Sequence, residues 1–256
     1  MAAFGVPRHH VTHAHGFPRK VSEPVLQVVV RAIEYAWQRI LADPVMELET
    51  PSPNNPLEDV LSDAICNILE GLLHESPSPV LGFNSQVFVS AIRGEHLANY
   101  AGKSINRKPD LVIRLAAPLP TTADRMVGIF VESKVVQPST ALSEYTDSGL
   151  LRFVEGDYAW TMQAALMLAY QRNGGRTFST LVSRLNDTDH LGTRRNGVPL
   201  VVKGKLKPAP PLLIYRTDPV MVRSQHERTW TYTALNEPPG DIEIWHVWDL
   251  PVPAGY

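Results

Sequence analysis

Hydrophobic residues recur at helical spacing in two long segments in the first third of the chain. Over 22–41, Val28, Ile33, Trp37, Ile40 and Leu41 form a broad apolar face. Ser22 can cap this helix, Glu23 suits the positive end of its dipole and Pro24 fits its first turn. The stretch 50–56, TPSPNNP, is a turn-rich break. Over 56–74, Leu57, Leu61, Ile65, Ile68 and Leu72 repeat with the same period, after a capping Asn55 and a first-turn Pro56. Glu58, Asp59 and Asp63 lie off that stripe, near the helix start.

The period then changes. Residues 86–92, QVFVSAI, alternate as a half-buried strand does. A polar, basic region over 93–108 leads into two apolar runs, 110–115 and 126–136, which read as strands. They are separated by AAPLPTTAD, a loop with two prolines. Residues 137–149 are loop-like. The segment 157–172, DYAWTMQAALMLAYQR, predicts a helix with Asp157 as its cap and Gly174-Gly175 at its end. Short strands are expected at 178–183, 199–203, 211–216, 229–234 and 241–248. Interleaved helices and strands predict an α/β fold with a mixed central β-sheet flanked by helices. Residues 1–20 lack any such period and read as a flexible arm carrying His9, His10, His13 and His15. The remainder, 21–256, reads as a single domain.

Composition narrows this picture. A chain of 256 residues that is 44% hydrophobic can bury a sizeable core, and 20% charged residues is ordinary for a globular protein. The single cysteine, Cys66, excludes an intramolecular disulfide and a cysteine zinc cage, and its apolar helical setting makes it a core residue. No apolar run approaches the roughly 20 residues that span a bilayer. The histidine- and proline-bearing start is unlike a signal peptide, so the expected setting is soluble and cytoplasmic, without a membrane partner. The net charge of −2 does not advertise a polyanion ligand, but its distribution is uneven. Between Arg172 and Lys207 eight basic residues face only two acids, Asp187 and Asp189, and Lys103, Arg107 and Lys108 precede the strand at 110. That asymmetry points to a phosphate-binding face. A P-loop, a nucleophile elbow and the zincin and zinc-deaminase patterns are all missing from the sequence.

The chemistry-bearing pattern is Pro109-Asp110 at the start of one strand and Glu132-Ser133-Lys134 inside the next, with 21 residues between Asp110 and Glu132. Strand side chains alternate between faces, so Glu132, Lys134 and Phe130 share one face and Val131 and Val135 the other. If the two strands pair, two carboxylates and an ammonium meet. Charges inside an apolar strand need compensation, because unpaired burial costs several kcal/mol. Mg²⁺ is the natural occupant of paired carboxylates, with Mn²⁺ as a substitute. The competing reading is a Glu132–Lys134 pair on the exposed face of an edge strand. Elsewhere, Ser224–Arg228 offers His226 and Arg228, two apart, as a DNA contact or as local partners of Glu227. Trp230, Trp245 and Trp248 read as packing residues.

Pro109-Asp110 followed by Glu132-Ser133-Lys134 resembles the signature of the PD-(D/E)XK nuclease superfamily. The resemblance covers about 56–172 and implies a restriction-endonuclease-like core there, with the additional C-terminal strands of 173–256 as an extension. It implies a Mg²⁺-dependent deoxyribonuclease in which Asp110 and Glu132 hold the metal, Glu58 completes the site and the Ser133 carbonyl adds a ligand. Glu58 also reads simply as a helix-dipole partner, with Asp59 and Asp63 as fallback ligands. Lys134 would stabilise the transition state. Gln163, on the helix expected after the lysine strand, would position Lys134 or a phosphate. Arg152 would hold a phosphate or pair with Glu155, and Lys103, Arg107 and Lys108 would bind nucleic acid. The implied partner is DNA, with RNA a further candidate substrate. The implied context is bacterial restriction or anti-phage defence, as a homo-oligomer or as a partner subunit of a defence complex. The alternative is a catalytically inactive nuclease-fold subunit that binds nucleic acid or a partner protein.

Overall fold

A computed structural model describes residues 19–97, 99–100, 108–116, 127–139, 141–186, 207–208, 221–232 and 237–256. The expected arm over 1–18, the expected strands at 199–203 and 211–216, and Lys103 and Arg107 lie outside the described residues.

The helical periods are realised as α1 (Glu23–Ala42), a short α2 (Pro44–Glu47) and α3 (Leu57–His74). Three strands follow, β1 (Phe88–Arg93), β2 (Leu111–Leu115) and β3 (Gly128–Val136), within a residue or two of the expected bounds. After β3 the chain forms a π-helical turn (Glu144–Leu150) running into α4 (Leu151–Val154), where a loop is expected from the sequence. Then come β4 (Ala164–Gln171), α5 (Phe178–Asn186), β5 (Lys207–Pro208), β6 (Met221–His226) and β7 (Ile242–Pro251).

Two expectations are corrected here. The segment 157–172 is not a helix: 157–163 holds turns and a bridge from Met162 to Arg19, and 164–171 is a strand. Every residue of β4 is buried, because the strand lies in parallel between β3 and β7 with both faces covered. Such a strand has no polar face, so its unbroken apolar run imitates the spacing of a buried helix. Conversely, 178–186 is helical rather than a strand, and Leu181 and Leu185, four apart, are its buried residues. The strand expected at 229–234 reduces, among the described residues, to a single bridge between Tyr232 and Glu237. The preceding segment, β6, carries the pairing with β7 instead.

The mixed sheet has seven strands in the order β1-β2-β3-β4-β7-β6-β5. Strand β2 runs antiparallel to both β1 and β3, β4 is parallel to both β3 and β7, and β6 returns antiparallel to β7. Helices α1 and α3 cover one face through Val29, Ile33, Trp37, Leu61 and Ile65, against Ile129, Val131, Leu166, Leu168 and Tyr170. The other face packs Phe130, Ala165, Met167 and Ile244 against Tyr145, Leu150, Phe153, Tyr158 and Leu181. Trp245 and Trp248 are buried, one in each layer, as their expected packing role requires.

Arg228 and His226 are also buried, so neither is exposed as a DNA contact. Arg228 donates to the carbonyls of Gly240, Pro239 and Met162, tying the approach to β7 to the head of β4. No helix among the described residues is long and apolar enough to cross a membrane.

Candidate active site

The site arises where two paired strands part. The last β2–β3 pair is Leu111 with Val131, yet β3 continues to Val136. Alternate N–H groups of β3 that would have bonded to β2 therefore need other acceptors. Two carboxylates supply them. Asp110, at the mouth of β2, accepts from Ser133 N at 2.6 Å and from Ser133 Oγ at 2.8 Å. Glu58, from the first turn of α3, accepts from Val135 N at 3.2 Å. The same geometry that breaks the ladder thus gathers acidic groups along one strand edge.

Lys134 is the common partner of this cluster. Its Nζ donates to Glu58 Oε1 at 2.8 Å and to the Ser133 carbonyl at 2.6 Å, and it lies 3.0 Å from Glu132 Oε1. Three of the four expected metal donors therefore converge on a single cationic group. Glu132 points into the layer beneath the π-helical turn. There it also accepts from Arg152 Nη1 at 3.0 Å and from the Tyr158 hydroxyl. Gly149 allows the turn to come this close. A Cβ at that position would stand 2.8 Å from Met167 Cε and in ordinary van der Waals contact, at 3.5 Å and 3.6 Å, with the Glu132 and Lys134 stems.

Burial sets the electrostatics. Glu132 is wholly inaccessible, and desolvation, reinforced by the nearby Asp110 charge, pushes its carboxyl from an ordinary 4.5 up to about 7. Lys134, Arg152 and the Tyr158 hydroxyl offset only part of that rise. Burial likewise raises Glu58 against the pull of Lys134. For Lys134 itself burial acts downward, but Glu132, Glu58 and Asp110 outweigh it and hold the ammonium above its ordinary range. The cluster thus concentrates three carboxylates around one lysine and one arginine.

Its donors are carboxylate and carbonyl oxygens, the set that suits a hard divalent cation such as Mg²⁺ or Mn²⁺. As the side chains stand, no three His, Cys, Asp or Glu groups among the described residues are gathered to hold an ion by themselves. The Lys134 ammonium is shared by the Glu58 and Glu132 carboxylates, and Asp110 is turned to Ser133. The fallback ligands Asp59 and Asp63 are committed elsewhere, to Arg93 of β1 at 2.6 Å and 3.4 Å.

Gln163 is a correction. It precedes β4, where its backbone bonds to Arg19 and Glu243. The β4 residue opposite Lys134 is Ala169. Six residues of strand, roughly 20 Å, separate Gln163 from that position, so it cannot orient the lysine. Arg152 contacts Glu132, a partner not foreseen from the sequence, and Lys108 is exposed beside the buried Pro109. Sequence reading missed Tyr158 because it lay in a segment taken for a helix.

No family model, curated protein or solved structure matches this chain.

Proposed function

We propose that this chain is a metal-dependent nuclease of the PD-(D/E)XK type that hydrolyses phosphodiester bonds in DNA, built on a restriction-endonuclease-like core of α3, β1–β4 and the helical turn after β3. The observation that carries this reading is the convergence of Glu58, Glu132 and the Ser133 carbonyl on Lys134 at the edge of β3, with Asp110 bound to the same Ser133. Asp110, Glu132 and the Ser133 carbonyl would hold Mg²⁺ or Mn²⁺, with Glu58 as a further or water-mediated ligand. The ion, when bound, supplies Lewis-acid activation of water and neutralises charge building on phosphorus.

The chain's own residues do the rest. Lys134, 13% exposed and pinned above its ordinary range, keeps its proton throughout and offers a fixed positive charge to the scissile phosphate. Arg152, 34% exposed, holds Glu132 from one side and remains reachable by a phosphate from the other. Tyr158 fixes the second Glu132 oxygen, so the carboxylate cannot rotate out of the cluster. Lys108, exposed next to Pro109, adds positive charge at the approach.

A second reading rests on the completeness of the ion pairs. Each charged group of the cluster already has a partner, as a purely structural network in a non-cutting, nucleic-acid- or protein-binding subunit would require.

One experiment separates the two. The purified chain is incubated with plasmid, linear duplex, single-stranded DNA and RNA in Mg²⁺, Mn²⁺ or EDTA, beside Asp110→Asn, Glu132→Gln and Lys134→Ala. A nuclease cuts only with metal, and each variant loses on the order of 100-fold or more in rate. Cleavage at the wild-type rate by all three variants removes the assignment. Metal-independent binding without cutting favours the second reading.

A further inference from the structure

The face of β3 opposite Glu132 carries a second polar chain that leads straight to the site. Ser133 points its side chain toward α3, and its Oγ donates to Asp110 Oδ2 at 2.8 Å. Ser62 of α3 lies 2.9 Å from Ser133 Oγ and 3.0 Å from the Tyr170 hydroxyl of β4. Ser62, Ser133 and Tyr170 are all buried among Ile65, Leu111, Val131 and Leu168. Tyr170 is held in turn by a parallel stack on Trp37 of α1, with ring centres 5.2 Å apart.

The direction of this chain follows from donor counting. An ionised carboxylate only accepts, so the Ser133 hydrogen is spent on Asp110. Ser133 must then accept from Ser62, and Ser62 from Tyr170. Every O–H points toward Asp110, and each bond polarises the next. Both bonds from Ser133, from N and from Oγ, fall on Oδ2, which leaves Oδ1 as the oxygen available to a ligand.

We infer that Ser133, Ser62 and Tyr170 are positioning residues that fix the Asp110 carboxylate for a divalent cation, coupling the α1–α3 layer of the core to the site. The inference rests on the proposed function, since it concerns the same metal. Outer partners that orient a ligand typically contribute about 10- to 100-fold to metal affinity. They do so by removing rotational freedom that an isolated aspartate would keep.

The test is Mn²⁺ binding to the intact protein, read from the free-Mn²⁺ electron paramagnetic resonance signal, alongside urea unfolding in EDTA. Ser133→Ala weakens Mn²⁺ binding about 10-fold or more. Tyr170→Phe, which removes one oxygen and keeps the stack on Trp37, weakens it several-fold alone and adds nothing in the Ser133→Ala background. Ser224→Ala, at a buried hydrogen-bonded serine on the far side of the sheet, changes stability but leaves Mn²⁺ affinity untouched. If Asp110→Asn abolishes binding while Ser133→Ala and Tyr170→Phe stay within twofold of wild type, the relay is wrong and the nuclease reading stands. If wild type binds no Mn²⁺, or Asp110→Asn binds as wild type does, the nuclease reading falls and takes this inference with it. Should Ser133→Ala fail to fold, Tyr170→Phe alone decides by the same twofold criterion.

Discussion

Two polar clusters centre on the sheet face opposite α1 and α3, the first joined by Glu58 from α3 itself, and they differ in kind. In the first, Glu132, Lys134, Glu58 and Arg152 are charged and crowded, and the last three reach solvent at 13–34% exposure. In the second, Tyr145 bonds His246 Nδ1 at 3.0 Å, and Ser224 sits 2.7 Å from His246 Nε2 and 2.6 Å from His226 Nε2. The second group is sealed, with both histidines fully inaccessible, and burial followed by the neighbouring His226 keeps His246 well below its ordinary 6.5. The two are one strand apart, since Met167 of β4 pairs with Glu132 on one side and His246 on the other. Buried polarity alone therefore does not mark a site. A neutral network of this kind holds strands together, whereas like charges crowded at an accessible edge are what the proposed metal would neutralise.

The largest effect that would break this contrast comes from Lys134. Removing the ammonium leaves Glu58 and Glu132 crowded without their shared cation. Lys134→Met is expected to lower stability by about 3 kcal/mol or more at pH 8 in EDTA. The measurement is the urea midpoint, and a change no larger than that of Ser224→Ala would make the two clusters equivalent.

The clusters should also respond to pH in opposite directions. The Glu132 carboxyl is raised on folding, so its contribution is fully present below pH 4.5 and is lost as pH rises through about 7. Glu132→Gln keeps the neutral form at every pH, and in EDTA it should stabilise the protein by about 3 kcal/mol at pH 8 while changing little at pH 4.5. His246 is depressed on folding, so its contribution is present above pH 6.5 and is lost as pH falls below that value. His246→Asn should remove up to about 2 kcal/mol of acid sensitivity between pH 6.5 and pH 5. Unfolding curves across that range check both slopes, and matching slopes would refute the distinction. His246→Asn should keep the proposed nuclease activity, because strand β4 separates that cluster from the first.

The smallest expected effect is at Gly149. A methyl there meets the flexible end of Met167, so Gly149→Ala should cost only about 1 kcal/mol. It should still slow cleavage by displacing Met167, the β4 partner of Glu132. An unchanged rate would show that the close approach of the turn is packing alone.

Much of the frame was legible along the chain. The stripes on α1 and α3 gave those helices directly, because each has a buried face and a more open one, and the strand period over 86–92 gave β1 although a bulge breaks its alternation. Asp110, Glu132 and Lys134 stood out as charges at strand positions, and the pairing of β2 with β3 brings them together. Strand β4 was misread for the opposite reason. Covered on both faces, AALMLAYQ has no polar period to display, and its alanines, leucines and methionine favour helices in isolation. The misplacement of Gln163 followed from that one misreading.

The sequence by itself determined which residues face inward and which carboxylates and cations sit near one another along the chain. Only the tertiary structure decided how they meet. It set the point where β2 leaves β3, the delivery of Glu58 to Lys134 from a helix 76 residues away, and the closure of Tyr158 and Arg152 over Glu132. It also set the run from Tyr170 through Ser62 and Ser133 to Asp110. The physical reason is that periodicity encodes the direction of a side chain relative to its own element. Hydrogen-bond partners and desolvation, which set the chemistry, depend on what other elements bring to the same place.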